Sequence, residues 1–337
     1  MKMGKKILPA LLAFCSIVWA KDYLGAELYS TEQVRYGRFE FRMMAASGSG
    51  TLSTFFLYYD DSWMGLPEPW REIDMEVLGR SNDAFQSNII TGDAAEKVTS
   101  EEIHSFDTDL TSSFHTYAIE WTPEYIAWYF DGEEVRRSTG QQVIDCQDQD
   151  QSYRFNTWIS SVPAWVGEFD PAILPLYQYI NWIKYYEYTP GQGDDGGDFT
   201  FSWQDDFDSF DNNRWGKADW TFDQNLVDFD PDNVVVKDGY MILCLTETGS
   251  PGHSGETPDD VATDVRYRAK HFAHRDAARQ HKTVISLFNS PKQLQRRFSA
   301  EGYNLLGRKM NMFTEKTETH RAGMVIIGEE KSAAIRP

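Results

Sequence analysis

The feature that most constrains the fold is a short stretch, residues 70–79 (WREIDMEVLG), in which acidic and apolar side chains alternate. Its three carboxyl groups belong to Glu72, Asp74 and Glu76, with a single apolar residue between each pair. Successive side chains of a β-strand point to opposite faces. The pattern therefore predicts a strand with three acids on one face and a core-facing apolar side. Because three neighbouring acids repel one another, some of their pKa values should rise.

The residues leave three interpretations of this acidic face open. A solvated polar face would more usually carry Lys, Thr or Ser between the acids. Carboxylates also bind hard cations such as calcium. The interpretation that we favour is catalysis of glycoside hydrolysis, which uses two carboxyl groups, roughly 5–5.5 Å apart in retaining enzymes. Residues i and i+4 of a straight strand are about 13 Å apart, so this use requires a curved sheet.

The region around this strand, residues 21–248, is rich in short alternating segments separated by Gly, Asn, Asp and Pro. No long segment in it has a convincing helical period of apolar residues. Many short strands joined by turns predict an all-β sandwich or barrel. Residues 189–198 (TPGQGDDGGD) predict a flexible surface linker within this region.

Composition limits the classes of partner. The formal net charge is −20 over 337 residues, which disfavours nucleic acid, since its binders place Lys and Arg against phosphates. The hydrophobic fraction of 41% excludes full disorder. No apolar run reaches the roughly 20 residues of a membrane span. We expect a soluble protein with a neutral or cationic partner.

The N-terminus, residues 1–20, is typical of a signal peptide. Lys2, Lys5 and Lys6 precede a short apolar stretch, and the sequence VWA at 18–20 supplies a small-x-small cleavage site. We therefore expect export to the outside of the cell and no membrane attachment after cleavage.

The C-terminal residues, 249–337, differ in composition from the rest. All 11 Trp precede them, and the region is basic and shows no clear period. We expect a disordered tail, in which His271 and His274 form no complete metal-ligand set. Of the cysteines, Cys146 and Cys244 remain after signal removal and can form at most one disulfide; Cys244 lies in an apolar run that indicates an inert core thiol.

Several separate motifs accompany the acidic strand. They are GAELYS at 25–30, YGRFEFRM at 36–43, FQSNIITG at 85–92, FHTYAIEWTPEYIAWYFDG at 114–132, RFNTW at 154–158 and INWIKYYEY at 180–188. Together with EIDMEVLG they resemble glycoside hydrolase family 16, and the ExDxE spacing is similar to that of lichenases, the endo-1,3-1,4-β-glucanases. This resemblance covers about residues 21–248. It implies a concanavalin-like β-jelly-roll sandwich whose curved sheet forms the substrate cleft.

The order of the motifs is unusual for that family. Residues 203–220 (WQDDFDSFDNNRWGKADW) resemble a segment that precedes the catalytic strand in ordinary lichenases but follows it here. The resemblance therefore implies a circularly permuted, Fibrobacter-type chain. The linker 189–198 would join the old termini inside one domain, which folded domains tolerate because their termini are often close.

The resemblance also implies roles for the acidic residues. Glu72 matches the nucleophile, Glu76 the general acid/base, and Asp74 the residue that tunes their charge and holds the nucleophile. Two residues depart from the family pattern. Asp60 stands where a sugar contact is expected, which puts that contact in doubt, and Arg71, just before the nucleophile, puts the subsite preference in doubt. Positions matching the cleft lining are Glu27, Phe56, Tyr58, Trp70, Gln86, Asn88, Arg154, Asn156, Trp158, Trp165, Asp219 and Trp220.

The family often carries a structural calcium ion, and the matching positions are Asn181, Asp206 and Gly239. No cofactor is expected for catalysis. The resemblance implies a secreted, monomeric, retaining endo-glucanase that binds mixed-linkage 1,3-1,4-β-glucan and cleaves its 1,4-β linkages. The alternatives are another family-16 specificity, for 1,3-glucan or xyloglucan, and a non-catalytic lectin-like jelly roll.

Overall fold

The computed structural model describes residues 20–260 and the backbone of two short strands farther along the chain. The predicted signal peptide, apart from its last residue, and the predicted tail beyond 260, including His271 and His274, lie outside the described residues. The chain divides into two units, Met1–Val265 and Arg266–Pro337. In the second unit, the strands Glu301–Tyr303 and Lys309–Asn311 pair antiparallel.

Nearly all of the regular secondary structure in the described part of the first unit is β-strand. They are β1 Tyr23–Ser30, β2 Gly37–Met44, β3 Thr51–Tyr58, β4 Glu72–Leu78, β5 Ala84–Gly92, β6 Lys97–Val98, β7 Glu102–Ser105, β8 His115–Trp121, β9 Ile126–Phe130, β10 Glu133–Ser138, β11 Ser152–Ile159, β12 Leu176–Tyr188, β13 Phe199–Asp205, β14 Trp215–Lys217, β15 Val227–Phe229, β16 Val234–Lys237 and β17 Tyr240–Glu247. The α-helices are α1 Gln141–Asp145 and α2 Pro163–Val166. Single 3-10 turns lie at Ser62–Met64, Cys146–Asp148, Pro171–Ile173, Asp194–Gly196 and Pro231–Asn233.

The strands form two sheets. The site sheet has the order β14-β1-β11-β3-β4-β5-β7, with every pair antiparallel. The opposite sheet has the order β10-β9-β8-β2-β12-β17-β16, and β13 pairs with the second half of β12. The first residues of β1 also pair with β15 and β17, which joins the two sheets at one side. The predicted all-β jelly-roll sandwich is confirmed.

The core fills the space between the sheets. Phe41 of β2 lies 4.4 Å from Phe55 of β3 and 5.2 Å from Phe155 of β11, measured between ring centroids. These rings occupy the inward positions of strands that alternate inside and outside, so each sheet contributes side chains to one core. Aromatic side chains of this kind bury large apolar areas, which is the main favourable term in folding.

The linker 189–198 forms the connection of the β12–β13 hairpin. Tyr188 lies opposite Phe199 in this hairpin, and Thr189 N donates to Asp198 O at 2.7 Å. Strands on both sides of the linker pair within the same sandwich, since β14 and β17 bond to β1. The linker is therefore a turn inside one domain; the permuted origin of this strand order stays a prediction.

Residues 249–260 pack on the opposite sheet instead of belonging to a tail. The carboxylate of Asp260 accepts two hydrogen bonds from the Arg42 guanidinium, each 2.6 Å long. The Tyr179 hydroxyl and Nε2 of His253 form a hydrogen bond of 3.0 Å. Lys237 Nζ donates to Gly255 O. The predicted boundary after Thr248 is therefore too early, because polar contacts anchor a segment that carries no apolar pattern.

Cys146 and Cys244 are both buried and unpaired. Burial raises the pKa of each thiol to about 12, so neither is a reactive nucleophile at neutral pH. This agrees with the interpretation of Cys244 as a core residue.

Within the residues that the structure describes, no helix has the length and apolar character needed to cross a membrane.

Candidate active site

Strand β4 carries the three acids predicted from the sequence. Glu72, Asp74 and Glu76 lie on its outer face, and Asp74 is buried with 4% of its surface exposed. The intervening face enters the core through Ile73, Met75 and Val77. The acids therefore share one face of the strand, as the sequence pattern predicts. Burial of the apolar face fixes the direction in which the acids point.

The strands on either side of β4 place more of the predicted site residues on the same face. The facing pairs are Tyr58 with Glu72, Phe56 with Asp74, Asn88 with Asp74 and Gln86 with Glu76. Directly paired residues on one face are about 4.5–5.5 Å apart. The three acids are thus surrounded by aromatic and amide side chains.

Glu76 has an amide partner in the neighbouring strand. Gln86 Nε2 donates to Oε2 of Glu76 at 2.9 Å, while Gln86 Oε1 accepts from the indole of Trp165 at 3.3 Å. Trp165 in turn lies 5.9 Å from Trp158, and Phe222 contacts the edge of Trp158 at 4.9 Å, between ring centroids. This aromatic group lies at the Glu76 end of the face.

Glu72 has a different set of neighbours. Trp70 Nε1 donates to Oε2 of Glu72 at 2.7 Å, and Tyr58 lies edge-on to Trp70 with centroids 5.7 Å apart. Lys97 Nζ lies 3.1 Å from the centroid of the Trp70 ring. Lys97 was not predicted as a site residue, because its two-residue strand is too short to show an alternation of polar and apolar side chains.

A buried polar network continues the face onto β11 and β1. Arg154 donates to Glu27 at 2.8 Å, and Asn156 Nδ2 donates to the other Glu27 oxygen at 3.1 Å. Thr54 Oγ1 donates to Asn156 Oδ1 at 2.6 Å. Since all these groups are buried, the bonds fix their positions below the surface of the cleft.

The last two predicted cleft residues follow β14. Trp220 is 39% exposed and its ring lies 5.3 Å from that of Tyr29 on β1. The Arg154 guanidinium lies 5.9 Å from the Trp220 ring, which places this indole beside the polar network. Asp219 is an exposed residue of the same loop.

The two departures from the family pattern both form ion pairs. Asp60 accepts from Arg154 at 2.6 Å and from Ser152 Oγ at 2.6 Å. Arg71 donates twice to Asp148, at 2.9 and 2.8 Å. The charge of Arg71 is therefore paired with Asp148, while Asp60 shares Arg154 with the buried network.

The three carboxyl groups differ in their electrostatics. Burial, then the charges of Glu72 and Glu76, raise the pKa of Asp74 well above its ordinary value. Burial, then the charge of Glu72, raises the pKa of Glu76 to about 8. Burial also raises the pKa of Glu72, but the Trp70 hydrogen bond and the positive charges of Lys97 and Arg154 oppose it. Glu72 is therefore the carboxyl best placed to hold a negative charge, while a pKa of about 8 keeps Glu76 protonated at neutral pH.

This arrangement pairs an ionised carboxylate with a protonated carboxyl on one strand face. Asp74 shares a hydrogen bond with Glu72, so a proton on Asp74 stabilises the negative charge beside it. Carboxyl groups whose environments separate their pKa values can act as nucleophile and acid in one reaction. The surrounding aromatic faces suit sugar rings, which present apolar C–H faces and polar edges.

The predicted calcium positions lie on the opposite sheet. Asn181 lies at an irregularity of β12, between its pairing with β17 and its pairing with β13. Gly239 precedes β17 and Asp206 follows β13, and Asn181 Nδ2 donates to Asp260 at 2.6 Å. No group of three His, Cys, Asp or Glu side chains within residues 20–260 suits a metal. Carbonyl oxygens would have to complete the set; oxygen ligands are those that calcium prefers.

Comparisons with known proteins show the family of the chain. Residues 13–184 match the family described as Glycosyl hydrolases family 16. The chain is similar to a β-glucanase of Fibrobacter succinogenes, with 49% identity over 259 residues, covering 77% of this chain and 74% of that protein. It is also 34% identical over 168 residues to a β-glucanase of Brevibacillus brevis, covering 49% of this chain and 61% of that protein.

Among solved structures, the β-glucanase of Bacillus licheniformis matches with a TM-score of 0.42 and 28% identity over 48% of this chain and 77% of that one. The family match covers more than half of the chain, and the Fibrobacter relative matches over most of its length. The protein with this carboxylate strand therefore belongs to glycosyl hydrolase family 16.

Proposed function

We propose that this protein is a retaining endo-β-glucanase that hydrolyses 1,4-β linkages in mixed-linkage 1,3-1,4-β-glucan. The observation that carries the proposal is the asymmetry on β4, where Glu72 accepts the Trp70 N–H, while burial and the charge of Glu72 raise the pKa of Glu76 to about 8. Retention needs this combination, because one carboxylate must attack while the other protonates the leaving group.

In the first step, a Glu72 oxygen bonds to the anomeric carbon as the glycosidic C–O bond breaks. Glu76 gives its proton to the departing oxygen, so the leaving sugar carries a neutral hydroxyl. Trp70 and Asp74 hold the attacking carboxylate by hydrogen bonds. The product of this step is a glycosyl ester on Glu72 and a carboxylate on Glu76.

In the second step, the Glu76 carboxylate takes a proton from water, whose oxygen bonds to the anomeric carbon. The ester bond to Glu72 breaks and returns the electron pair to its carboxylate. Two inversions give net retention, and both carboxyl groups regain their starting protonation states. Gln86 keeps the Glu76 carboxyl oriented through both steps.

The substrate follows from the lining of the face and from the relatives. Aromatic faces at both ends of the acidic strand, Trp70 at one and Trp158 with Trp165 at the other, suit an extended glucan chain that passes over all three acids. A net charge of −20 agrees with a neutral polymer. The Fibrobacter and Brevibacillus relatives, at 49% and 34% identity, both bear the name β-glucanase, which supports this substrate class.

A substrate panel tests the proposal. We expect reducing sugar from lichenan and barley β-glucan and little from laminarin or xyloglucan. Release from laminarin alone would move the specificity to 1,3-glucan. If the parent and the Glu72→Gln and Glu76→Gln variants all bind glucan while none releases sugar, the lectin-like alternative replaces the enzyme.

Export and calcium binding complete the proposal. Residues 1–20 would be removed on export, so N-terminal sequencing of the protein recovered from culture medium should begin at Lys21. Asn181, Asp206 and Gly239 would hold a structural calcium ion that has no role in the reaction. Chelation with EDTA should then lower the melting temperature, added calcium should restore it, and gel filtration should show a monomer.

A further inference from the structure

Lys97 lies in β6, beside the site, although no motif of the sequence pointed to it. It pairs with Gly92 at the end of β5, and the Gly92 carbonyl accepts a hydrogen bond from Trp70 N at 2.8 Å. These backbone contacts bring β6 against the segment that leads into β4. As a result, the Lys97 ammonium is seated 3.1 Å from the centroid of the Trp70 ring.

Trp70 connects this ammonium to the acidic strand. One face of the indole receives Lys97, and its Nε1 donates to Glu72 at 2.7 Å. A cation on the face of an indole is attracted by the ring electrons, so it resists rotation of the ring away from the carboxylate. Glu72 and Asp74 act on the Lys97 charge through space and oppose the lowering of its pKa by burial.

We propose that Lys97 is a positioning residue for Glu72, the nucleophile of the proposed function: its ammonium group holds the Trp70 indole N–H on the carboxylate and adds a positive charge beside it. The nucleophilic role of Glu72 is that of the proposed function, on which this inference rests. The other positive charge that acts on Glu72 is Arg154 from β11, and the titratable groups beside it are Tyr58 of β3 and the carboxyls of Asp74 and Glu76. Arg154 is shared with Glu27 and Asp60, so of these two described cations Lys97 has the charge that is less compensated by other carboxylates.

The chain offers a matched control on its other sheet. Lys184 Nζ lies 4.3 Å from the centroid of the Trp182 ring, and both residues belong to β12 of the opposite sheet. Lys97→Met removes the ammonium and keeps a side chain of similar length, whereas Lys97→Arg keeps the positive charge. Lys184→Met removes the same kind of contact on the opposite sheet, together with an ion pair to Glu40 at 3.5 Å.

The test is the pH dependence of kcat/KM on lichenan. The acid limb reports the ionisation of the nucleophile in the free enzyme. In Lys97→Met we expect this limb to move to higher pH by roughly one unit, the scale of a nearby opposite charge. Lys97→Arg should restore the parent profile, and Lys184→Met should match it. An unmoved limb in Lys97→Met, or an equal movement in Lys184→Met, overturns the proposal.

A second measurement separates this inference from the proposed function. Titration of 13C-labelled Glu side chains by NMR, with Glu72→Gln to assign the signal, follows the carboxyl without any turnover. We expect a raised Glu72 pKa in Lys97→Met, and an unchanged titration contradicts the role of Lys97. A parent protein that shows this titration but cleaves no β-glucan would instead contradict the proposed function.

Discussion

Gln86 lies directly opposite Glu76 across strands β5 and β4, and its amide nitrogen donates to Oε2 of that carboxyl at 2.9 Å. The same amide accepts from the Trp165 indole at 3.3 Å, which fixes its orientation. The bond favours the ionised form of Glu76 and opposes the effect of burial on its pKa. Strand β5 thus lowers the pKa of Glu76 through Gln86 and also contributes to the lining of the cleft.

Replacing the amide should therefore change the pH range of activity. In Gln86→Leu the pKa of Glu76 should rise above about 8, because a hydrogen bond to the charged form is lost. The alkaline limb of kcat/KM should move to higher pH, independently of any change in the maximal value of kcat/KM. Trp165→Phe, which keeps Gln86 and removes only the indole donor, should move it less. A limb that moves to lower pH would contradict the role given to Gln86.

Ionisation of the partly buried Glu76 should also lower stability at alkaline pH. Its folded-state pKa of about 8 exceeds the ordinary 4.5, so the folded protein binds more protons than the unfolded chain between these values. The free energy of unfolding should then fall as pH rises through this window, by up to about 1.4 kcal/mol per pH unit from this one group.

The variant Glu76→Gln removes this titration. Its melting temperature should match that of the parent near pH 4 and exceed it near pH 8, while its activity is lost. Differential scanning calorimetry at both pH values measures the difference. An equal change at both pH values would show that Glu76 ionises freely in the folded protein.

Removing the nucleophile gives a chemical test of its role. Glu72→Ala should abolish turnover of lichenan, with a loss of several orders of magnitude. With an activated aryl β-glucoside and added azide, the vacated face should admit the anion and give an α-glycosyl azide, identified by NMR. A folded variant that gives no azide product would remove Glu72 from the nucleophile role.

The segment 249–260 should contribute to stability. A chain ending after Asp260 should keep the melting temperature and activity of the full protein. A chain ending after Thr248 loses the Arg42–Asp260 ion pair and the contact of His253 with Tyr179, and should melt several degrees lower. Asp260→Asn isolates the ion pair. Equal melting temperatures for both truncations would contradict the packing described for this segment.

The parts of the site that could be predicted from the sequence are those in which apolar and polar side chains alternate every two residues along a strand. On β4 the two-residue alternation fixes which face is buried, so the direction of Glu72, Asp74 and Glu76 follows from Ile73 and its apolar neighbours alone. The sandwich follows from the same alternation in the other strands. The residues that line the cleft were predicted only from the resemblance of motifs, because their alternation is the same as that of ordinary surface positions.

What the sequence did not reveal depends on contacts between distant, aperiodic segments. Lys97 approaches Trp70 only through the pairing of a two-residue strand. Asp60, a departure from the family pattern, is drawn into the buried network through Arg154. Residues 249–260 are held by an ion pair and single polar contacts, and a polar segment of this kind has the composition of a tail.

The most direct test of the central claim is the anomeric configuration of the first products from lichenan, followed by 1H NMR immediately after enzyme is added. An ionised Glu72 that attacks while Glu76 donates its proton predicts a β-anomer signal that appears first, with the α-anomer growing later by mutarotation. An α-anomer that appears first would show single-step inversion and would contradict the nucleophile and acid assigned to this strand.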